Sequence, residues 1–265
     1  MLGAVIGDIV GSAYEWHNVK TKDFSLFPEG SRFTDDTVLS VAVADALLHR
    51  EVSGISREKA YAMWYRQYYH RYPDAGFGQM FSEWAEGREG RVQRSYGNGA
   101  AMRVSAVGYA VDSIKEIKRE VRASCHFTHR NREARHGAEA VAICIYLART
   151  GAGKDEIRNY VEKHYYDRLL RLDAIRAGYV FDSRASYCVP PAIEAFLESD
   201  SFEDAIRNAV SIGGDSDTIA CMAGGIAQAY YRRIPDGIKE RALTYLDIGL
   251  KTTIRRFAMK FRQDV

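Results

Sequence analysis

The sequence predicts an all-α protein built as one domain, and three observations carry that expectation. Apolar residues recur at three- and four-residue intervals in window after window, which is the period of a helix face. Alternating runs of the strand kind are scarce, with YVFDS at 179–183 the one modest candidate. No stretch of Pro, Ser or like charge is long enough to mark a linker.

Taken in order, the first segment is GAVIGDIVGSAYEW, which has no basic run before it and carries Asp8 and Glu15 inside apolar sequence. It therefore reads as neither a signal peptide nor a membrane span. Gly3, Gly7 and Gly11 stand four apart and lack the G-x-G-x-x-G spacing of a dinucleotide loop. Their expected role is to let two helices approach closely. Helical windows follow at Val38, Leu39, Ala42 and Ala46; at Val141, Ile145 and Ala148; and at Ile193, Phe196 and Leu197. Two more are Ile219, Met222, Ala223 and Ile226, and then Leu243, Leu246 and Leu250. The breakers RYPDAGFG, RTGAGKD and DSRASYCVPP read as connections, and the five prolines as falling between helices or in first turns. The expected domain is the whole chain, 1–265.

At 265 residues the chain can bury a sizeable core, and 37 basic against 35 acidic residues leave a net charge of only +2. That balance gives no electrostatic case for a nucleic-acid or membrane partner. The expectation is a cytoplasmic monomer. Cys125, Cys144, Cys188 and Cys221 form no CxxC pair, so buried, reduced thiols are expected in place of a disulfide framework or zinc ribbon. His126 and His129 have HxxH spacing but no second pair of soft ligands beside them, which disfavours zinc.

The chemistry-bearing pattern is a repeated one. FTDDTVLS, at 33–40, places Thr34, Asp35 and Asp36 just before an apolar helix, and GGDSDT places Asp215, Asp217 and Thr218 before another. One such cluster could be helix capping alone, since Asp and Thr are common N-caps. Two copies exceed that need. Six hard oxygen donors suit magnesium or manganese, and a cation would offset the repulsion between adjacent carboxylates. The EF-hand pattern of Gly and terminal Glu is missing from both clusters.

Four motifs in order, GAVIGDIVGSAYEW, FTDDT, SYGNGAAMR with THRNREARHGAEAV, and GGDSDT, resemble those of the ADP-ribosylglycohydrolases, a family that includes dinitrogenase reductase-activating glycohydrolase and the ADP-ribosyl-acceptor hydrolases. The resemblance spans nearly the whole chain. It implies a compact all-α fold with two magnesium or manganese ions in a cleft, and cleavage of the bond between C1″ of ADP-ribose and an acceptor. The implied metal ligands are Thr34, Asp35, Asp36, Asp215, Asp217 and Thr218. Glycoside cleavage calls for an acid and a base, and Glu15, Asp36 and Asp217 are the candidates.

The same resemblance makes the loop at 95–103 a phosphate- and ribose-binding element, with Ser95, Tyr96, Gly97, Asn98, Gly99 and Met102 as its contacts and a helix over 100–111 behind it. His129 matches a histidine near the diphosphate or distal ribose, and Tyr187 a residue on the adenine side. The partner implied is an ADP-ribosylated protein, on arginine or serine, or a small ADP-ribose conjugate. GSAYE and SYGNGAAMR are more similar to the branch acting on serine-linked and other O-linked ADP-ribose than to the arginine branch. The chain is shorter than many members, which leaves the acceptor open. Two rivals stand beside this reading: a catalytically silent member, against which all four aspartates and both threonines argue, and a small-molecule phosphatase, which paired carboxylates alone would allow.

Overall fold

The computed structural model describes residues 1–50, 54–87 and 92–262. Its helices are α1 (Leu2–Ser12), α2 (Asp35–Leu48), α3 (Arg57–Arg71), α4 (Gln79–Ala85), α5 (Ser105–Ala110), α6 (Ile114–Cys125) and α7 (Arg132–Arg149). Then follow α8 (Lys154–His164), α9 (Leu172–Ile175), α10 (Ala185–Leu197), α11 (Phe202–Ile212), α12 (Ser216–Tyr231), α13 (Asp236–Leu243) and α14 (Ile248–Lys260). Single 3₁₀ turns lie at Asn98–Ala100 and Arg176–Gly178. Among the described residues there is no β-strand, and no helix is long and apolar enough to cross a membrane.

The axis of the molecule is the pair α1 and α12. Every residue of α1 is buried, so the helix has no polar face and must be surrounded by protein. A methyl group on Gly7 would collide with the Ala220 carbonyl, and one on Gly11 with the Asp217 backbone. Gly3 and Gly224 exclude a side chain from each other in the same way. Glycine inside a helix costs about 0.5–1 kcal/mol relative to alanine; here it is retained because the two backbones touch. The expected role of the glycine stripe is thus met. Helices α7, α10 and α11 flank α12, while α3 and α14 pack on α2, around one contiguous apolar core. All four cysteines are buried and free.

Four local expectations need correcting. YVFDS forms no strand; the backbone there is extended and leads to one isolated bridge between Gly97 and Arg184. Pro190 and Pro191 do not lie in a connection, because α10 already starts at Ala185 and contains both. Proline removes the donor to the carbonyl four residues back, and the Tyr187 carbonyl so released accepts from the Tyr179 hydroxyl at 3.0 Å. The leucines 243, 246 and 250 do not share a helix, since α13 ends at Leu243 and α14 begins at Ile248, where Asp247 accepts from the Leu250 amide as its N-cap. The helix expected over 100–111 is only α5, preceded by the 3₁₀ turn.

Candidate active site

Because α1 and α12 lie in contact, and α2 packs against both, the first turns of α2 and α12 meet at one end of the bundle. That end is a cleft of about 440 Å³. Its lining includes Glu15, Thr34, Asp35, Asp36, Asp215, Asp217 and Thr218, so both acidic clusters face one space.

Local chemistry aims each cluster. Thr34 is the N-cap of α2, accepting from the Asp36 amide at 3.3 Å. It is held in turn by Asp8, whose carboxylate accepts from the Thr34 amide at 2.9 Å, the Thr34 hydroxyl at 2.7 Å and the Thr37 amide at 3.0 Å. The Thr37 hydroxyl donates to Asp8 as well. Asp8 thus satisfies first-turn donors of α2 and has its lone pairs committed. The second cluster is entered through Gly213 and Gly214, both left-handed at φ +76° and +71°. A side chain at Gly214 would stand 2.6 Å from the Tyr179 ring, and left-handed backbone disfavours L-residues in any case. Asp215 makes no capping bond; it accepts from Asn98 Nδ2 at 2.7 Å instead.

The electrostatics are those of crowded buried carboxylates. Burial, reinforced by neighbouring aspartates, pushes Asp35, Asp36 and Asp217 well above the usual carboxylate range. Burial also raises Asp8, against the lowering pull of its hydrogen bonds. Burial and then Asp215 push Glu15 up to about 7, with Arg32 opposing. Carboxylate oxygens of Asp8, Asp36 and Asp217 lie within 4.8 Å of one another, as do those of Glu15, Asp215 and Asp217. Asp36 Oδ1 is buried with no hydrogen-bond partner. A buried anionic oxygen with no donor is costly, and an oxygen-only donor set of this kind fits a hard divalent cation.

A model of the ADP-ribosylglycohydrolase family matches residues 1–264. The chain belongs to the ADP-ribosylglycohydrolase family. Human ADP-ribosylhydrolase ARH3 is 29% identical over 309 residues, covering 87% of this chain and 84% of its own. ADP-ribosylarginine hydrolase Tri1 of Pseudomonas putida is 26% identical, covering 87% and 69%. The solved structure of an ADP-ribosylglycohydrolase-related protein complex matches with a TM-score of 0.67 at 25% identity, over 98% of this chain and 95% of that one.

Within this ADP-ribosylglycohydrolase fold, the loop expected to bind substrate is pinned on both sides. The Ser95 amide donates to the Thr128 carbonyl at 3.3 Å, the Asn98 amide to the Ser183 carbonyl at 2.8 Å, and the Ala185 amide to the Tyr96 carbonyl at 3.1 Å. Ser95, Gly97, Asn98, Gly99, Met102 and His129 all line the cleft. Two expected contacts do not. Tyr96 is 55% exposed and absent from the lining. Tyr187 belongs to a separate pocket, stacked on Tyr179 at 4.5 Å between ring centroids. Its backbone carbonyl is what Pro191 leaves free, and the Tyr179 hydroxyl that bonds it joins the same two residues.

Three residues in or behind the cleft are not singled out by the sequence patterns. Phe181, within the YVFDS segment, lines the cleft and stacks on the exposed Trp16 at 5.2 Å. Asp8 was visible only as an acid in an apolar run; its place between Gly7 and Gly11, on a helix whose every residue is buried, is the signal that could have found it. Arg103 also lines the cleft, although fully buried, with its guanidinium 4.3 Å from the Tyr65 ring centroid.

Proposed function

We propose that this protein is a divalent-metal-dependent hydrolase that cleaves the bond between C1″ of ADP-ribose and its acceptor. The observation that carries the reading is the convergence of both acidic clusters on one cleft, with the buried, unpartnered Asp36 oxygen at its floor. The relatives named as ADP-ribosylhydrolases, matched over most of the chain, support it. Thr34, Asp35, Asp36, Asp215, Asp217 and Thr218 would hold two ions, magnesium or manganese. Such ions supply Lewis acidity to the ribose hydroxyls and to a nearby water.

The remaining work falls to the protein. The pinned loop offers Gly97 and Gly99, where backbone can approach a diphosphate without a side chain between. Phe181, at the mouth, offers an aromatic face for the base. Glu15 is the proton carrier: its carboxyl lines the cleft within 4.8 Å of those of Asp215 and Asp217, where it can give and take a proton at the scissile bond. Asp36 and Asp217 would hold the ions where both clusters face the cleft. The fold acts as one domain and as a monomer.

The test is hydrolysis of two matched peptides, one ADP-ribosylated on serine and one on arginine, with magnesium, with manganese and with EDTA. The expected result is metal-dependent release of ADP-ribose, stronger from the serine peptide and lost in Glu15→Gln. Metal binding with no release from either peptide would favour a silent member of the family. Phosphate release from simple esters would favour a phosphatase.

A further inference from the structure

The buried guanidinium of Arg103 has no carboxylate within ion-pair distance among the described residues, and its Nε and Nη1 have no hydrogen-bond partner. A fully buried cation left without an anion demands an explanation. Its third nitrogen, Nη2, donates to the Ser124 carbonyl at 3.1 Å and to the Thr128 hydroxyl oxygen at 2.8 Å. Thr128 Oγ1 lies 2.9 Å from His129 Nδ1. The three side chains form a line that ends at the cleft, because His129 packs its Nε2 edge against Gly99 of the pinned loop and lines the same space.

The direction of the protons in that line follows from counting. The Thr128 hydroxyl has one proton to give and already accepts from Arg103. Thr128 is buried, and among the described residues its hydroxyl has no acceptor other than His129 Nδ1. Were Nδ1 protonated, the hydroxyl proton would be stranded in the interior, at a penalty of about 1–3 kcal/mol. Nδ1 is therefore the acceptor. The ring is also held neutral, since burial first and the Arg103 charge second keep His129 well below the usual imidazole range.

We infer that Arg103, acting through Thr128, fixes His129 as the Nε2–H tautomer, so that the ring presents a neutral hydrogen-bond donor to an anionic oxygen of the ligand. Resting on the reading above, that oxygen belongs to the diphosphate of ADP-ribose. Arg103 and Thr128 are positioning residues, and the unbalanced Arg103 charge beneath the loop favours the same anion over distance. A donor that is never an acceptor rejects the alternative, in which a bare Nε2 lone pair would face the phosphate.

The test separates the tautomer from the enzyme. With ring-¹⁵N histidine, the His129 signals, assigned by their loss in His129→Gln, are expected to show a protonated Nε2 and a bare Nδ1 from pH 6 to 8. In Thr128→Val, which keeps the shape and removes the hydroxyl, the ring is expected to become a tautomer mixture. ADP-ribose binding by calorimetry is expected to weaken about tenfold in Thr128→Val, the worth of a hydrogen bond to a charged group, and to return within about twofold in Thr128→Ser. KM for an ADP-ribosylated peptide should follow the same order while kcat changes far less. A wild-type ring protonated on Nδ1, or a Thr128→Val ring indistinguishable from wild type, overturns the inference. Failure of the wild type to bind ADP-ribose removes the proposed function, while the ring spectrum still decides the tautomer.

Discussion

The first and second acidic clusters share a motif but not a construction. At the first turn of α2, Thr34 caps the helix and the buried Asp8 of α1 braces Thr34 and Thr37 from behind. At the first turn of α12, the N-cap Asp215 makes no capping bond, the chain arrives through two left-handed glycines, and Asp215 is held from in front by Asn98 of the loop at 95–103. One cluster is anchored to the core and the other to the loop. The difference teaches that a hydroxyl and two carboxylates at a helix start can be placed by separate means, and that what unites them is the helix pair beneath. The Thr218 hydroxyl, which donates to Asp36 Oδ2 at 3.2 Å, bonds the second cluster directly to the first.

The comparison can be broken at its base. Gly7→Ala places a methyl against the Ala220 backbone, where α1 and α12 have no room to give. The expected loss is about 3 kcal/mol or more, read as a fall in Tm, with activity lost together with the fold. A sharper break leaves the helices alone. Asp36→Asn and Asp217→Asn each remove a carboxylate from a different cluster, and each is expected to lower turnover by more than about 100-fold while far-ultraviolet circular dichroism stays as in the wild type. Equal losses from both would show that the clusters act as one site; full activity in either variant would undo the metal assignment.

Asp8→Asn tests the brace alone. It leaves every carboxylate that faces the cleft and puts an amide where four donors converge. Stability should fall by about 2 kcal/mol and metal affinity by about 10- to 100-fold, the range for a group that supports a ligand. A smaller effect comes from pH. Asp8, Asp35, Asp36, Asp217 and Glu15 are all raised in the fold, so the folded chain binds more protons than the unfolded one, and stability falls as pH rises through that window. In EDTA, Tm is expected to be highest near pH 5 and to fall towards pH 7. Magnesium or manganese should flatten the slope, because a cation replaces the protons. A slope of the opposite sign would show that the clusters are not crowded as described.

Much of this was legible in the sequence for definite reasons. A 3.6-residue period and close-packed glycines are local signals, and they were sufficient for the helices around Val38, Val141 and Ile219 and for a close approach of α1 to another helix, though not for α12 as that helix. The paired D-D-T and D-S-D-T runs could be read because they gather several hard oxygen donors into one short segment, which is what a divalent cation would require. Asp8 and Arg103 were not legible in this way, since each acts through partners 26 and 25 residues away. The two prolines of α10 misled because their usual meaning depends on where a helix starts, and Tyr179, eight residues before Tyr187, supplies the missing donor.

The aromatic residues give the finest test of how the cleft is divided. The sequence pointed to Tyr187 for the adenine, whereas the structure turns that ring against Tyr179 and brings Phe181 to the cleft mouth with Trp16 stacked on it. If Phe181 receives the base, Phe181→Ala raises KM by about tenfold, the worth of one base–aromatic stack, and leaves kcat nearly unchanged. Tyr187→Leu should leave KM within about twofold and show itself only as a Tm lower by about 2–4 °C, from the lost ring pair. The reverse pattern, with Tyr187→Leu raising KM and Phe181→Ala silent, would mean that the loop at 179–184 rearranges on binding so that Tyr187 turns inward. In that event the Tyr179 hydroxyl must release the Tyr187 carbonyl, and Tyr179→Phe would tighten binding instead of merely loosening the fold.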